Sequence, residues 1–272
     1  MTQPNSLCFG RFIVDLPEGA EIQDMGQQSE YMFGEIKSEP FAGGVDEFSQ
    51  KMKKREDELK DGKQKDGFKY TQTIYPSPDS RIFTFSRTYD LFPNDPPSTG
   101  LELYRINDGR LFSMERTGFN KSFPKTVERL RTHLATSLRA RKIDEIPTEP
   151  GFCIRDGFIA DNGNENIYEH ARMQLNFKQW PDMWVKFTSM TVHRTGRETL
   201  LQRLAKFPIT PLEKAFVKVF RQGKHDVNGR KGEEILELLP TDQGIKQHSF
   251  RWEATGEINR ILVPDLIVEL ES

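Results

Sequence analysis

Apolar positions in this chain follow two periods. In residues 125–142, Val127, Leu130, Leu134 and Leu138 are spaced three, four and four, leaving Glu128, Arg129, Arg131 and Arg139 off the stripe. That spacing predicts a helix, with a start signal in Ser122 before Phe123-Pro124 and a solvated basic end at residues 139–142 facing the negative pole of the helix dipole. Val45, Phe48, Met52 and Leu59 predict a second helix near residues 45–60, and the charged run through residues 51–65 reads as its solvated face. Alternating and short apolar runs predict extended structure over 31–37, 80–90, 101–118, 167–177, 183–193, 247–255 and 261–270, with a short helix near 198–207. Closely spaced prolines make residues 91–98 a loop, because proline removes ladder donors.

The order of these elements is written roughly twice. Leu7-Cys8-Phe9-Gly10-Arg11-Phe12-Ile13-Val14-Asp15 opens the first run, and Gly151-Phe152-Cys153-Ile154-Arg155-Asp156-Gly157-Phe158-Ile159-Ala160-Asp161 opens the second. Each places a cysteine and an aromatic ahead of a short apolar strand. Internal repetition of this kind outranks local signals in deciding architecture. The expected fold is α+β: two similar α/β domains, each an antiparallel sheet packed with helices, over residues 1–146 and 147–272. Residues 143–151, with Pro147 and Pro150 among polar neighbours, read as the linker. Nothing after Leu270 corresponds to the helix that closes the first copy, so the second domain is expected to lack its last helix.

Composition narrows the function classes. A chain of 272 residues lies where single cores split into two. Lys+Arg 39 against Asp+Glu 41 leaves a net charge of -2, without the basic field that nucleic acid requires. No apolar run approaches the roughly 18 residues of a membrane span. Residues 1–7 carry no signal-like hydrophobic stretch, so a literal reading starts the chain in the cytoplasm. Cys8 and Cys153 are the only thiols, and two readings stand for them: small buried hydrophobes at equivalent strand starts, or a bridge between the domains in an oxidising compartment.

A search for chemistry finds no catalytic constellation. There is no Gly-x-Ser-x-Gly elbow, phosphate-binding loop, His-Glu-x-x-His or dinucleotide fingerprint. Glu169 and His170 are adjacent on a predicted strand and so point to opposite faces. The five histidines pair neither with each other nor with a cysteine at metal-ligand spacing. No catalytic, cofactor-binding or metal-ligating residue is assigned, no cofactor is expected, and the chain reads as a binding protein rather than an enzyme.

Several phrases carry a family resemblance. The opening Cys8-Phe9-Gly10-Arg11-Phe12-Ile13-Val14-Asp15-Leu16-Pro17 resembles the start of the immunity proteins that protect bacteria against type VI secretion lipase effectors. Gly151-Phe152-Cys153-Ile154 with Gly157-Phe158-Ile159 is similar to the start of that family's carboxy-terminal domain. Similar too are Asn228-Gly229-Arg230-Lys231-Gly232-Glu233-Glu234, Phe250-Arg251-Trp252-Glu253 with Gly256, and Asn259 followed by residues 264–270. The resemblance implies a two-domain inhibitor, shaped like the jaws of a claw, that binds a cognate phospholipase effector one to one and blocks its lid and active-site entrance. It also implies a periplasmic location.

An inhibitor needs anchors rather than an acid, base or nucleophile. The candidate interface residues are Trp180, Asp182, Met183 and Trp184, where two tryptophans flank a Pro-Asp turn, joined by Asp161, Asn164 and Glu165 of a polar loop. Two readings stand for the tryptophans, presentation at a hairpin tip or folding back over the core. The Gly229–Glu234 phrase reads as structural, with glycines for a tight backbone and carboxylates beside a strand. Two other function classes remain open: a small-molecule or envelope-binding module on the same scaffold, and an enzyme with a dispersed site.

Overall fold

The computed structural model describes residues 5–23, 27–62, 67–88, 97–118, 123–164, 166–206, 216–240 and 244–272. Two compact units emerge: a continuous one, Glu30–Asn162, and a split one, Met1–Ser29 with Gly163–Ser272. These units are cut at other points than the repeat in the sequence. The opening hairpin of each half groups with the unit that holds most of the other half.

The strands in chain order begin with β1 (Asn5–Phe9), β2 (Phe12–Leu16) and β3 (Ala20–Ile22), followed by β4 (Gln28–Tyr31) and β5 (Gly34–Pro40). After helix α1 (Val45–Lys60) come β6 (Phe68–Ser77), β7 (Ser80–Arg87), β8 (Ser98–Asn107) and β9 (Arg110–Gly118). Helix α2 (Phe123–Arg129) then runs through a π-helical turn (Leu130–Leu134) into α3 (Ala135–Ser137). The remaining strands are β10 (Leu138–Ala140), β11 (Gly151–Ile154), β12 (Gly157–Ala160), β13 (Glu169–Phe177) and β14 (Trp180–Met190), then, after α4 (Leu200–Lys206), β15 (Lys218–Lys224), β16 (Glu233–Pro240), β17 (Lys246–Ala254) and β18 (Asp265–Glu271). Within each unit the strand pairs are antiparallel among the described residues, and the architecture is mainly β.

In the continuous unit the main sheet has the order β4-β5-β9-β8-β7-β6, with a smaller sheet β10-β12-β11. Helix α1 forms where the 3,4-spaced stripe meets acidic Asp46 and Glu47 in its first turn, which complement the dipole. It buries Phe48, Met52 and Leu59 against Phe83, Ile106 and Leu111, and Arg55 ties it to β8 by a two-pronged pair to Glu102 at 2.9 and 2.5 Å. Neighbouring residues of a strand face opposite ways, so Arg105 leaves the other face of β8 and donates to the Ala135 carbonyl of α3. Both faces of this sheet are therefore covered by helix.

In the split unit the sheet order is β15-β16-β17-β18-β14-β13, with β3 on the far edge of β13. Leu236, Phe250, Leu270, Val185 and Leu175 lie side by side across five strands, and Trp252, Val268, Phe187 and Met173 form the next row on that face. The opposite face carries Arg251, Glu269 and Lys186 in one row, joined as ion pairs. This is the apolar-in, polar-out alternation of a sheet with one solvated side. The β1–β2 hairpin packs on the apolar side, with Phe9 and Phe187 rings 6.4 Å apart, and Arg11 clamps Glu169 at 2.7 and 2.6 Å.

Several expectations are corrected. The stretch 101–118 is a hairpin, β8–β9, folded at Asp108-Gly109, both with positive φ (43° and 76°); an Asp-Gly pair is the preferred type I′ turn. The stretch 31–37 is likewise broken into β4 and β5 by a turn at Met32-Phe33. The helix predicted over 125–142 ends at Ser137, and Leu138 begins a strand paired with β12, where Leu138 lies opposite Ile159. The stripe misled because a buried leucine four residues on satisfies either geometry. Its basic end is only partly solvated: Lys142 is exposed, but Arg141 is buried and donates to the carbonyls of Lys142, Ile143 and Glu145. Strands β6, β15 and β16 were not expected. Most of the predicted proline-rich loop lies outside the described residues.

Neither cysteine is a free thiol. Cys8 and Cys153 are both buried and both disulfide-bonded, which corrects the reading of two buried free thiols. Each sits one residue before the end of the first strand of a two-residue-loop hairpin, Cys8 opposite Ile13 and Cys153 opposite Phe158.

Candidate interaction site

The hairpin β13–β14 closes through Lys178-Gln179, with Phe177 opposite Trp180. Asn176 then pairs with Trp184, so Pro181, Asp182 and Met183 form a three-residue excursion on β14. Proline forces it, because a residue without an N–H cannot continue the ladder. The tip is thus three residues earlier than the Pro-Asp turn the sequence suggested.

The excursion sets the two tryptophans apart. Trp180 stands at the tip, 54% exposed, its ring tilted over buried Phe177 at 6.1 Å between centroids. Pro181 and Asp182 are exposed, while Met183 and Trp184 are half-buried. Trp184 falls in the row of Asn176 and Glu271 on the charged side of the sheet, with the Lys186 ammonium 5.3 Å from its ring. Neither ring enters the core. The tryptophan that does is Trp252, 5% exposed, which donates from Nε1 to the His225 carbonyl at 2.8 Å.

The polar loop divides differently. Asp161 is buried and accepts a 2.7 Å hydrogen bond from the Tyr31 hydroxyl, with His133 Nε2 at 3.5 Å. Asn164 is exposed, and Glu165 lies outside the described residues. The structure therefore brings Trp180, Asp182, Met183 and Trp184 together on one hairpin and places Asp161 inside the continuous unit.

The Gly229–Glu234 phrase is a frame. Asn228 and Gly229 carry φ of 48° and 76° in a tight turn closed by Val227 and Arg230. A Cβ on Gly232 would meet Trp252 Nε1 at 2.4 Å, so only glycine seats that ring. Glu233 Oε2 accepts from the Leu201 amide at the start of α4, and buried Glu234 pairs with Arg221 at 2.5 Å. Burial pushes the Glu253 carboxyl up, but hydrogen bonds from Arg203 and Arg251 outweigh it and hold the group below the usual carboxylate range. Glu233 and Glu253 lie opposite each other across β16 and β17, and each has a structural partner, the Leu201 amide for one and the Arg203 and Arg251 guanidinium groups for the other.

Sequence reasoning passed over Phe33, which it read as part of an extended run. The structure puts it at the tip of the β4–β5 hairpin, 56% exposed, with the Arg116 guanidinium 5.4 Å from its ring.

The Tle cognate immunity protein 4 N-terminal domain matches residues 5–146, and the C-terminal domain of the same family matches residues 145–272. The chain belongs to this family. Among solved structures it is similar to the apo form of TplEi, an immunity protein of the type VI secretion system from Pseudomonas aeruginosa, at 25% identity and TM-score 0.79 over 98% of this chain and 86% of that one. It is similar also to a chain of the Tle4–Tli4 complex, at 26% identity and TM-score 0.79 over 98% of this chain and 85% of that one. TplEi complexed with an "L" peptide matches at 25% identity and TM-score 0.77 over 99% and 87%. No curated protein matches the chain. The family assignment accounts for a scaffold whose shared phrases hold turns, rings and helix starts in place.

Proposed function

We propose that this protein binds a cognate Tle4-type phospholipase effector one to one and holds its lid and active-site entrance closed. The carrying observation is the match of both halves to the immunity family, together with likeness to a chain of a complex named for Tle4 and Tli4. Inhibition by occupation needs a rigid frame with a few desolvated anchors, and the β13–β14 hairpin carrying Trp180, Asp182, Met183 and Trp184 is such a feature, with Asn164 and Glu165 counted as further candidate contacts. The repeats 1–146 and 147–272 are taken as the two inhibitory domains. A periplasmic location is supported by disulfide-bonded Cys8 and Cys153, since such bonds persist in oxidising compartments.

The test is a titration of the lipase encoded beside this gene, following phospholipid hydrolysis and complex mass together. Stoichiometric loss of activity with a one-to-one complex is the expected result. Full activity in the presence of excess protein, with no complex, would refute the reading. Trp180→Ala is expected to weaken binding at least tenfold, about 1.4 kcal/mol, while leaving the melting temperature unchanged.

A further inference from the structure

Cover on the apolar face of the split unit's sheet thins from one end to the other. The β1–β2 hairpin lies over the row that holds Trp252 and Phe187, where Phe9 meets Phe187 and the Arg230 guanidinium sits 5.7 Å from the Phe12 ring. One row further on, Leu236, Phe250, Leu270 and Val185 lie side by side and are only half-buried. Alternation assigns these residues to a packed face, and contiguous apolar surface left partly open on such a face marks an interaction site.

Two exposed aromatic rings stand at the corners of this floor. The register of β15 shifts between Val219 and Arg221, and the extra residue is Phe220, 46% exposed. A bulge of this kind re-aims a side chain. The Phe220 ring stacks on His248 at 5.9 Å with the Lys218 ammonium 4.8 Å from its centroid, and Lys218 and His248 share a row with Leu238 on the apolar side. At the far corner Trp180 rests on Phe177, which follows Leu175 on that same side. Among the described residues of this unit, the large aromatic side chains that are exposed are Trp180, Phe216 and Phe220, and the strand directions bring all three to one end of the sheet. Five strand steps separate β15 from β13, about 24 Å at the usual spacing.

We propose that this floor, with Phe220 and Trp180 as its posts, receives the effector lipase, taking a segment that is apolar along its centre and carries carboxylates at its border. This rests on the immunity reading above and extends its hairpin anchor. An exposed tryptophan brings at most about 250 Å², whereas a stable complex buries about 800 Å² on each partner, so the hairpin needs the floor beside it. Lys218 and Lys246 are exposed on the side that carries His248 and match acids at the partner's border. They also oppose pairing with a second copy, since an isologous contact sets this basic patch against itself. Isolated tips suit a bilayer, while a half-buried floor between two rings suits a shaped protein segment.

The experiment uses the full, disulfide-intact protein and the lipase encoded beside its gene, with hydrogen exchange of the unsubstituted protein and calorimetric titration of its variants. Amides of residues 218–224 and 245–250 should gain protection when the lipase binds. Phe220→Ala should bind at least tenfold more weakly and melt within about 2 °C of the unsubstituted protein, as an exposed position does. Lys218→Glu combined with Lys246→Glu should slow association at least fivefold and flatten its dependence on salt. Unchanged affinity in Phe220→Ala, or protection confined to residues 177–184, would overturn the floor and leave the hairpin anchor standing. A melting point several degrees lower in Phe220→Ala would leave the decision to the protection pattern of the unsubstituted protein. A dimer of the free protein that Phe220→Ala dissolves would reassign the surface to a second copy. Loss of binding to anionic phospholipid vesicles in Phe220→Ala, with lipase affinity intact, would reassign it to lipid, and either result overturns the proposal. If the unsubstituted protein forms no complex with the lipase, the immunity reading fails and the floor falls with it.

Discussion

The sheets of the two units solve the same problem in different ways. In the continuous unit α1 covers one face and the α2–α3 segment the other, so β7 and β8 are buried for most of their length. In the split unit one face is a ladder of Arg251, Glu269, Lys186 and Glu253, and several apolar residues on the other, including Phe187, Val268 and Leu270, are only half-buried. Burial on two faces concentrates hydrophobic stabilisation in the first sheet, while the second relies more on its antiparallel ladder and on surface charge, which is worth less per contact. The teaching point is that similar strand orders do not imply similar sources of stability.

The comparison can be broken most directly in the cores. Phe83→Ala in the continuous unit is expected to cost about 3 to 5 kcal/mol, as a fully buried phenylalanine does, whereas Phe187→Ala in the split unit should cost about half as much; equal losses in denaturant titrations would dissolve the contrast. Reducing the disulfide-bonded state of Cys8 and Cys153 should cost about 2 to 5 kcal/mol, read as a fall in melting temperature with dithiothreitol. No fall would mean that the disulfide contributes nothing to stability.

Smaller effects sharpen the picture. Gly232→Ala should cost about 1 to 3 kcal/mol, because a methyl group there collides with the Trp252 ring, and tryptophan fluorescence would report the displaced ring. The smallest effect is electrostatic. Glu253 has its carboxyl held below the ordinary range, so its contribution is present above the unfolded-state value near 4.3 and is lost as pH falls through the lower folded-state value. Glu253→Gln should remove that part of the acid dependence, measured as melting temperature between pH 5 and pH 2, and an identical acid profile would show that the charged face does not stabilise.

Legibility in the sequence followed the range of the interactions involved. Helix α1 was readable because its stripe is local, and the turn at Asp108-Gly109 could have been read from its residue types. Strands β15 and β16 were not, since Glu233-Glu234 and Lys218 with Lys224 give them the charge of a loop; their pairing depends on partners far along the chain. At the candidate site, the clustering of Trp180 to Trp184 on one hairpin was legible from spacing. The burial of Asp161 beneath Tyr31 was not, because nothing near Asp161 in sequence announces a tyrosine hydroxyl 130 residues away. Phe33 escaped because a left-handed turn built without glycine leaves no mark in composition.

The sequence by itself determined the repeated hairpin phrases, the family they belong to and the absence of any recognised catalytic motif, because each rests on residues adjacent in the chain. Only the tertiary structure decided that the opening hairpin of each half groups with the unit holding most of the other half, that both cysteines are oxidised, and which aromatics face outward. Those outcomes depend on which distant surfaces bury each other, and the free energy of burial is a property of the pair of surfaces, with no counterpart in the local order of residues.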